Sequence, residues 1–406
     1  MSDFSQNGII STLHDFGTKP TSIIEKELLE FSKQRKMELI LPCLYSELDG
    51  SALPKIVDEI SKTKYLDHVI IGLDRANEKQ AKSAWKFFKK IKTPFTILWN
   101  DGPQLKKLDQ ELRKKDLAPS ELGKGRNVWY CIGMSIARDS ARSVALHDCD
   151  IKTYDRRMLA KLFYPVVNPL FNFEFCKGYY PRVANEKMNG RVARLLVFPL
   201  LTALEKTIGK SDYLDFMKSF KYPLAGEFSF RRNVLPELRI SSDWGIEVGI
   251  LSEMQRSFSP QNICQVDLAD SYDHKHQSLS LDDETKGLSR MSIDIIKTFI
   301  KKLATQGNTF SREKFRSLKA TYYRSALDLI DIYRSDADMN GLKFDSHTEE
   351  KAVELFAINI MKAGEAFILN PMDTPFIPTW SRVKSAIPDF LKRLKEVVNE
   401  DNKKYN

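Results

Sequence analysis

The sequence predicts an α/β protein: a doubly wound, mostly parallel sheet with helices on both faces, plus a C-terminal helical region. Three observations carry this. Short apolar runs alternate with helix-spaced segments from residue 37 to residue 150 of a 406-residue chain. The fourth run, Ser143-Val144-Ala145-Leu146-His147-Asp148-Cys149-Asp150, ends in two aspartates two residues apart. Beyond residue 286 the strand-like runs give way to amphipathic helical spacing.

Residues 1–36 read as an N-terminal extension of mixed loop and helix, with apolar side chains between Ile23 and Phe31 at helical spacing. Residues 37–42 form an apolar run halted by Pro42, short enough to be a buried strand. A helical stretch at 53–62 leads to a second strand at 68–74, a helix at 78–92 and a third strand at 95–99. A charged helix at 104–115 and a helix at 127–137 then lead into the strand that carries the aspartates. The pattern beyond Asp150 is less regular, with strands expected at 171–179 and 264–270 and helices at 191–208 and 243–255. A polar stretch at 279–285 marks a junction, dividing the chain into a domain at 37–285 and a helical region at 286–406. The apolar stripes of that region (Ile293, Ile296, Phe299 and Ile300; Val353, Phe356, Ala357 and Ile360) require a covering surface, either the preceding domain or a second subunit. A homodimer is the expectation.

Composition removes several classes. With 42% hydrophobic residues the chain can bury a full core. The five cysteines (Cys43, Cys131, Cys149, Cys176 and Cys264) are scattered and form no C-x-x-C pair, which argues against a disulfide framework or zinc knuckle and for a reducing, cytoplasmic setting. No apolar run approaches the roughly 18–20 residues of a membrane span, and the first eight residues lack a signal-peptide pattern, so no membrane partner is expected. The net charge of +9 is spread over helical faces and mixed with acids, so no nucleic-acid partner is expected either. A dispersed positive charge favours small anionic substrates.

Alternation with period two sends Asp148 and Asp150 to the same side of the chain, at a carboxyl strand end where α/β sheets hold ligands. Two hard oxygen donors there suit Mg²⁺ or Mn²⁺ and, through the metal, a diphosphate. Upstream strand ends carry Leu41-Pro42-Cys43-Leu44 and Asp74, and Gly123-Lys124-Gly125 lies between the third and fourth strands. A lysine flanked by glycines lets an ammonium and bare backbone approach a nucleotide, although the same tripeptide also fits a surface turn. Further on come Gly190-Arg191-Val192-Ala193-Arg194, Tyr222-Pro223-Leu224-Ala225-Gly226-Glu227, Asp243-Trp244-Gly245-Ile246-Glu247 and Asp273-His274-Lys275-His276.

In this order the motifs resemble a GT-A glycosyltransferase, and more narrowly the retaining glucosyl-3-phosphoglycerate synthases, from about residue 39 to 279. The resemblance implies a GT-A catalytic domain at 37–285 and a metal-dependent hexosyltransferase moving glucose from a nucleotide diphosphate sugar, UDP- or GDP-glucose, to 3-phosphoglycerate. It implies Asp150 and His274 as metal ligands. Pro42, Leu44, Asp74, Lys124 and Asp148 would bind the nucleotide, and Leu224 and Glu247 the glucose. Leu224, Glu247 and Asp148 would be the catalytic set, and Gly190, Arg191, Ala193 and His276 would receive the acceptor. Four positions depart from the family pattern. Tyr45-Ser46-Glu47 replaces an asparagine-glutamate pair, and Trp244 replaces a tyrosine beside the sugar. Ala193 and His276 replace a threonine and an asparagine at the acceptor end. The same fold with glycerate as acceptor or mannose as sugar, or a nucleotidyltransferase, are the alternatives.

Overall fold

The computed structural model describes residues 6, 8–274, 287–371 and 376–405. Its centre is an eight-stranded sheet: β1 (Ser11–Leu13), β2 (Met37–Leu44), β3 (Leu66–Asp74), β4 (Phe95–Trp99), β5 (Ser143–Leu146), β6 (Phe175–Tyr179), β7 (Phe228–Arg231) and β8 (Ile263–Asp267). The spatial order is β1-β8-β6-β7-β5-β2-β3-β4. All neighbours run parallel except β7, which is antiparallel to both β5 and β6.

The central strands form because their apolar runs are buried on both faces, as sheets covered by helices require. β2 and β3 pair in register from Glu38↔His68 to Leu44↔Asp74, bringing Pro42 opposite Gly72 and Leu44 opposite Asp74. Helix Lys124–Arg138 crosses this pair, and Asn127 Nδ2 donates to the Gly72 carbonyl at 2.7 Å. The sequence places this helix three residues late. Gly123 takes φ 155° just before it, so Lys124 is its first residue and the glycine-flanked lysine is a helix N-terminus.

The segment at 1–36 supplies the edge strand β1, which pairs with β8, and helix Thr21–Ser32, which packs on helix Arg156–Val167. Among the described residues five helices follow residue 286: Gly287–Thr305, Arg312–Met339, Ser346–Leu369, Trp380–Ala386 and Phe390–Tyr405. Three or four are expected from the sequence. The expected junction at 279–285 lies outside the described residues. The stripes at Ile296, Phe299, Ile300, Val353, Phe356, Ala357 and Ile360 are buried in a core shared with helix Lys124–Arg138 and with β5, β6 and β7. The covering surface is therefore the chain itself.

The end of the chain also returns to the sheet. Trp380 stacks on Trp129 with ring centroids 4.0 Å apart, each indole donating to a backbone carbonyl across the contact. Asn402 accepts from Ile97 N at 3.0 Å and donates to Ile97 O at 2.8 Å, pairing the open edge of β4 with a side chain in place of another strand.

Candidate active site

Beyond the carboxyl end of β5 two groups of the residues singled out in the sequence come together: Lys124 with Asp148 and Glu247, and Asp150 with His274. β5 ends at Leu146, short of the aspartates that the sequence places on the strand itself; the chain bends at Cys149, and Asp148 and Asp150 are both partly exposed. Lys124 Nζ lies 2.7 Å from Asp148 Oδ1 and 3.0 Å from Glu247 Oε1. Burial would lower this lysine, but the two carboxylates override it and hold the ammonium charged, well above the ordinary lysine range. Glu247 is the second residue of helix Ile246–Ser257 and Lys124 the first of helix Lys124–Arg138, so one ion pair joins the first turns of two helices. Their unpaired N–H groups and positive dipole ends suit a diphosphate.

Asp150 Oδ2 faces His274 Nδ1 at 3.5 Å. Burial raises the Asp150 carboxyl, yet the hydrogen bond and charge from His274, with Lys124 beyond, outweigh that and leave it below the usual range. No group of three or more metal-ligating side chains occurs among the described residues. The pair therefore fits an ion only if a bound diphosphate completes its shell, which is how small hard cations such as Mg²⁺ are usually held.

Pro42 and Leu44 alternate with the fully buried Cys43 and present two half-buried side chains on one face of β2. Asp74, beside Leu44, is nearly buried, and its carboxyl is pushed up by burial and by Asp101. Trp244 stands 39% exposed, as a stacking surface would.

Against the Lys124–Asp148 pair, the Leu224–Glu227 segment is packed without slack. A Cβ at Gly226 would lie 2.2 Å from Asp148 Oδ2 and 3.0 Å from Lys124 Nζ, so only glycine lets that backbone reach the charged pair. Glu227 is 0% exposed and accepts from Tyr180 (2.5 Å) and Tyr272 (3.0 Å), whose rings stack at 3.6 Å. Lys177, 1% exposed in the middle of β6, donates its ammonium to the Ala225 carbonyl, and burial pushes it down to about 8. Sequence reasoning did not single out Lys177, which underlies the Leu224–Glu227 segment, although a lysine inside the run Phe175-Cys176-Lys177-Gly178-Tyr179 is a visible signal.

The acceptor set is only partly assembled. Gly190 takes φ 75°, a left-handed turn that aims the following residues at the C-terminal helices. Arg191 meets Glu349 Oε1 at 2.8 Å, and Arg194 meets Glu349 Oε2 at 3.0 Å. Glu349 is 4% exposed and belongs to helix Ser346–Leu369. Ala193 is buried at the start of a helical turn, and His276 lies outside the described residues. His147 is wholly buried against Tyr154, and burial pushes its imidazole down to about 3.

Two curated relatives align along nearly the whole chain. The glucosyl-3-phosphoglycerate synthase of Persephonella marina is 42% identical over 402 residues, covering 99% of both chains. That of Methanococcoides burtonii is 38% identical over 407 residues, again covering 99% of both. The chain belongs to the glucosyl-3-phosphoglycerate synthase family. No family model matches it. Among solved structures, the Mycobacterium tuberculosis glucosyl-3-phosphoglycerate synthase in complex with Mg²⁺ and uridine diphosphate superposes with a TM-score of 0.52 at 22% identity, covering 72% of this chain and 86% of that one. The mannosyl-3-phosphoglycerate synthase of Rubrobacter xylanophilus gives 0.54 at 19% identity, covering 74% and 83%. These likenesses establish the GT-A fold, and the family makes the protein a hexosyltransferase.

Proposed function

We propose that the protein transfers glucose, with retention, from UDP-glucose to 3-phosphoglycerate in the presence of Mg²⁺ or Mn²⁺, the first step towards glucosylglycerate as a compatible solute. The observation that carries this is Lys124 held between Asp148 and Glu247 beside the Asp150–His274 pair. That arrangement offers separate places for a sugar, a diphosphate and a cation. Relatives named for this reaction support it, as do the M. tuberculosis enzyme's complexes with Mn²⁺, UDP-glucose and phosphoglyceric acid. GDP-glucose is the alternative donor.

In this reading Asp150 and His274 would hold the cation, which would supply positive charge opposite a departing diphosphate. Lys124 and the two helix N-termini orient the same diphosphate, while Pro42, Leu44 and Asp74 line the base and ribose. Glu247 and the Leu224 backbone fix the glucose hydroxyls, so that the anomeric carbon faces an acceptor hydroxyl brought in along the Gly190–Arg191 turn. Retention by attack on the departing group's own face is favoured because the carboxylates near the sugar are already engaged. Asp148 and Glu247 pair with Lys124, and Glu227 is sealed from solvent behind two tyrosines.

A cytoplasmic setting is supported by five buried cysteines that form no disulfide, and among the described residues no helix is long and apolar enough to cross a membrane. A homodimer is supported only by exposed apolar side chains such as Ile332 and Ile358, since the stripes that suggested it are covered within the chain. The test is to incubate the purified protein with Mg²⁺, UDP-, GDP- and mannose-bearing donors, and 3-phosphoglycerate or glycerate. Mass spectrometry should show a hexosyl phosphoglycerate with UDP-glucose; a product only with a different sugar or acid would replace this reading.

A further inference from the structure

The arginine nominated for the acceptor, Arg191, has its charge balanced by Glu349, which also takes Arg194. A second arginine on the same wall is not balanced. Arg182 opens the short hairpin Val183–Ala184/Lys187–Met188 and lies against the Gly190 turn, where a Cβ on residue 190 would come within 3.2 Å of its Cβ and Cγ. Among the described residues no carboxylate pairs with it. Its Nη1 donates to the Tyr222 hydroxyl at 2.9 Å, and its Nε is buried with no hydrogen-bond partner. The guanidinium rests over two rings, 6.0 Å from the centroid of Tyr222 and 5.6 Å from that of Tyr272.

Those rings fix where the charge sits. Tyr222 is two residues before Leu224, and Tyr272 is two before His274, with their ring centroids 5.7 Å apart in the latter pair. Tyr180 stacks on Tyr272 and lies 5.2 Å from Tyr222, tying the three rings into one layer between the acceptor turn and the Asp150–His274 pair. Aromatic faces hold a guanidinium in place without neutralising it, leaving its remaining N–H groups free to fork onto a carboxylate or phosphate.

We propose that Arg182 is an acceptor-binding residue, its guanidinium pairing with an anionic group of the acceptor acid between the Gly190 turn and the cation pair. This rests on the reading that the protein glucosylates a phosphorylated small acid. Arg191 and Arg194, clamped by Glu349, then shape the turn, while Arg182 supplies the uncompensated positive charge.

The test is steady-state kinetics of wild type, Arg182→Met and Arg182→Lys with three acceptors: 3-phosphoglycerate, glycerol 3-phosphate (no carboxylate) and glycerate (no phosphate). Methionine keeps an unbranched stem over the rings, and lysine keeps the charge without the fork, so the lysine variant carries the comparison should the methionine variant not fold. The expected result is a KM for 3-phosphoglycerate raised about 30-fold or more in Arg182→Met, a smaller rise in Arg182→Lys, and a UDP-glucose KM within about twofold of wild type. Loss confined to the two phosphorylated acceptors assigns the phosphate to Arg182, and loss confined to the two carboxylates assigns the carboxylate. An unchanged 3-phosphoglycerate KM in a folded variant overturns the proposal while leaving the transferase reading intact. A wild-type protein that glucosylates none of the three fails that reading and this one with it.

Discussion

Replacing Lys124 with methionine removes the charge that links Asp148 and Glu247 in the proposed donor site. In the native protein the ammonium satisfies Asp148 at 2.7 Å and Glu247 at 3.0 Å. At an effective dielectric constant of about 20, each pair would be worth roughly 6 kcal/mol before desolvation and screening. The groups are partly open to water, with 30%, 23% and 10% of their side-chain surface exposed for lysine, Asp148 and Glu247, so most of that is cancelled. A charge-assisted hydrogen bond is worth about 1.5–3 kcal/mol net, which sets the scale. Once the cation is gone, two carboxylates also face the incoming diphosphate. Lys124→Met should therefore weaken UDP binding by about 2 kcal/mol, roughly 30-fold, with the fold retained. Isothermal titration with UDP and Mn²⁺, beside a thermal melt of the free protein, measures both. UDP affinity within threefold of wild type in a folded variant would refute the placement of the diphosphate at Lys124.

The other predictions concern the cation, the buried network and pH. Asp150→Ala and His274→Ala should each lower kcat by about 10²-fold or more, and excess EDTA should abolish wild-type turnover; full activity in EDTA refutes the cation assignment. Glu227→Ala strands two buried tyrosine hydroxyls and should cost about 2–4 kcal/mol in urea unfolding, with Glu227→Gln milder; a cost below about 0.5 kcal/mol for the alanine would show that the network does not stabilise the fold. Burial pushes Lys177 down to about 8 in the folded chain, below its unfolded value near 10.4, so between those limits the unfolded chain binds more protons and stability rises with pH. Wild type should gain up to about 1.4 kcal/mol per pH unit over Lys177→Met in that window and nothing below pH 7; parallel profiles for the two proteins would contradict the buried position.

Much of the sheet is legible because its strands are apolar runs with clear stops. β2, β3, β4 and β5 are recognisable by length and by the helical spacing between them. β7 is not: Phe228-Ser229-Phe230-Arg231 is four residues long, and its antiparallel place depends on pairing with β5 and β6 rather than on its own pattern. β1 is three residues held by β8 from the far end of the domain, which no local signal announces.

The same distinction holds for the site. Lys124, Asp148, Asp150, Glu247 and His274 stand in motifs whose chemistry is visible in order along the chain, and the structure brings them together. The Arg191–Glu349 pair spans 158 residues, and nothing near either residue foretells it. The surroundings of Arg182 are no more legible locally, since its guanidinium rests over Tyr222 and Tyr272, which lie 40 and 90 residues further along the chain.

The most direct test of the account follows the anomeric carbon itself. UDP-glucose labelled with ¹³C at C1 is mixed with 3-phosphoglycerate, Mg²⁺ and the full-length protein, and the reaction is watched by NMR. The account predicts that the labelled α-anomeric signal of the donor is replaced by a new α-configured glycoside signal attached to phosphoglycerate, and that excess EDTA prevents it. A β-configured product, or release of free glucose with phosphoglycerate unchanged, would contradict it.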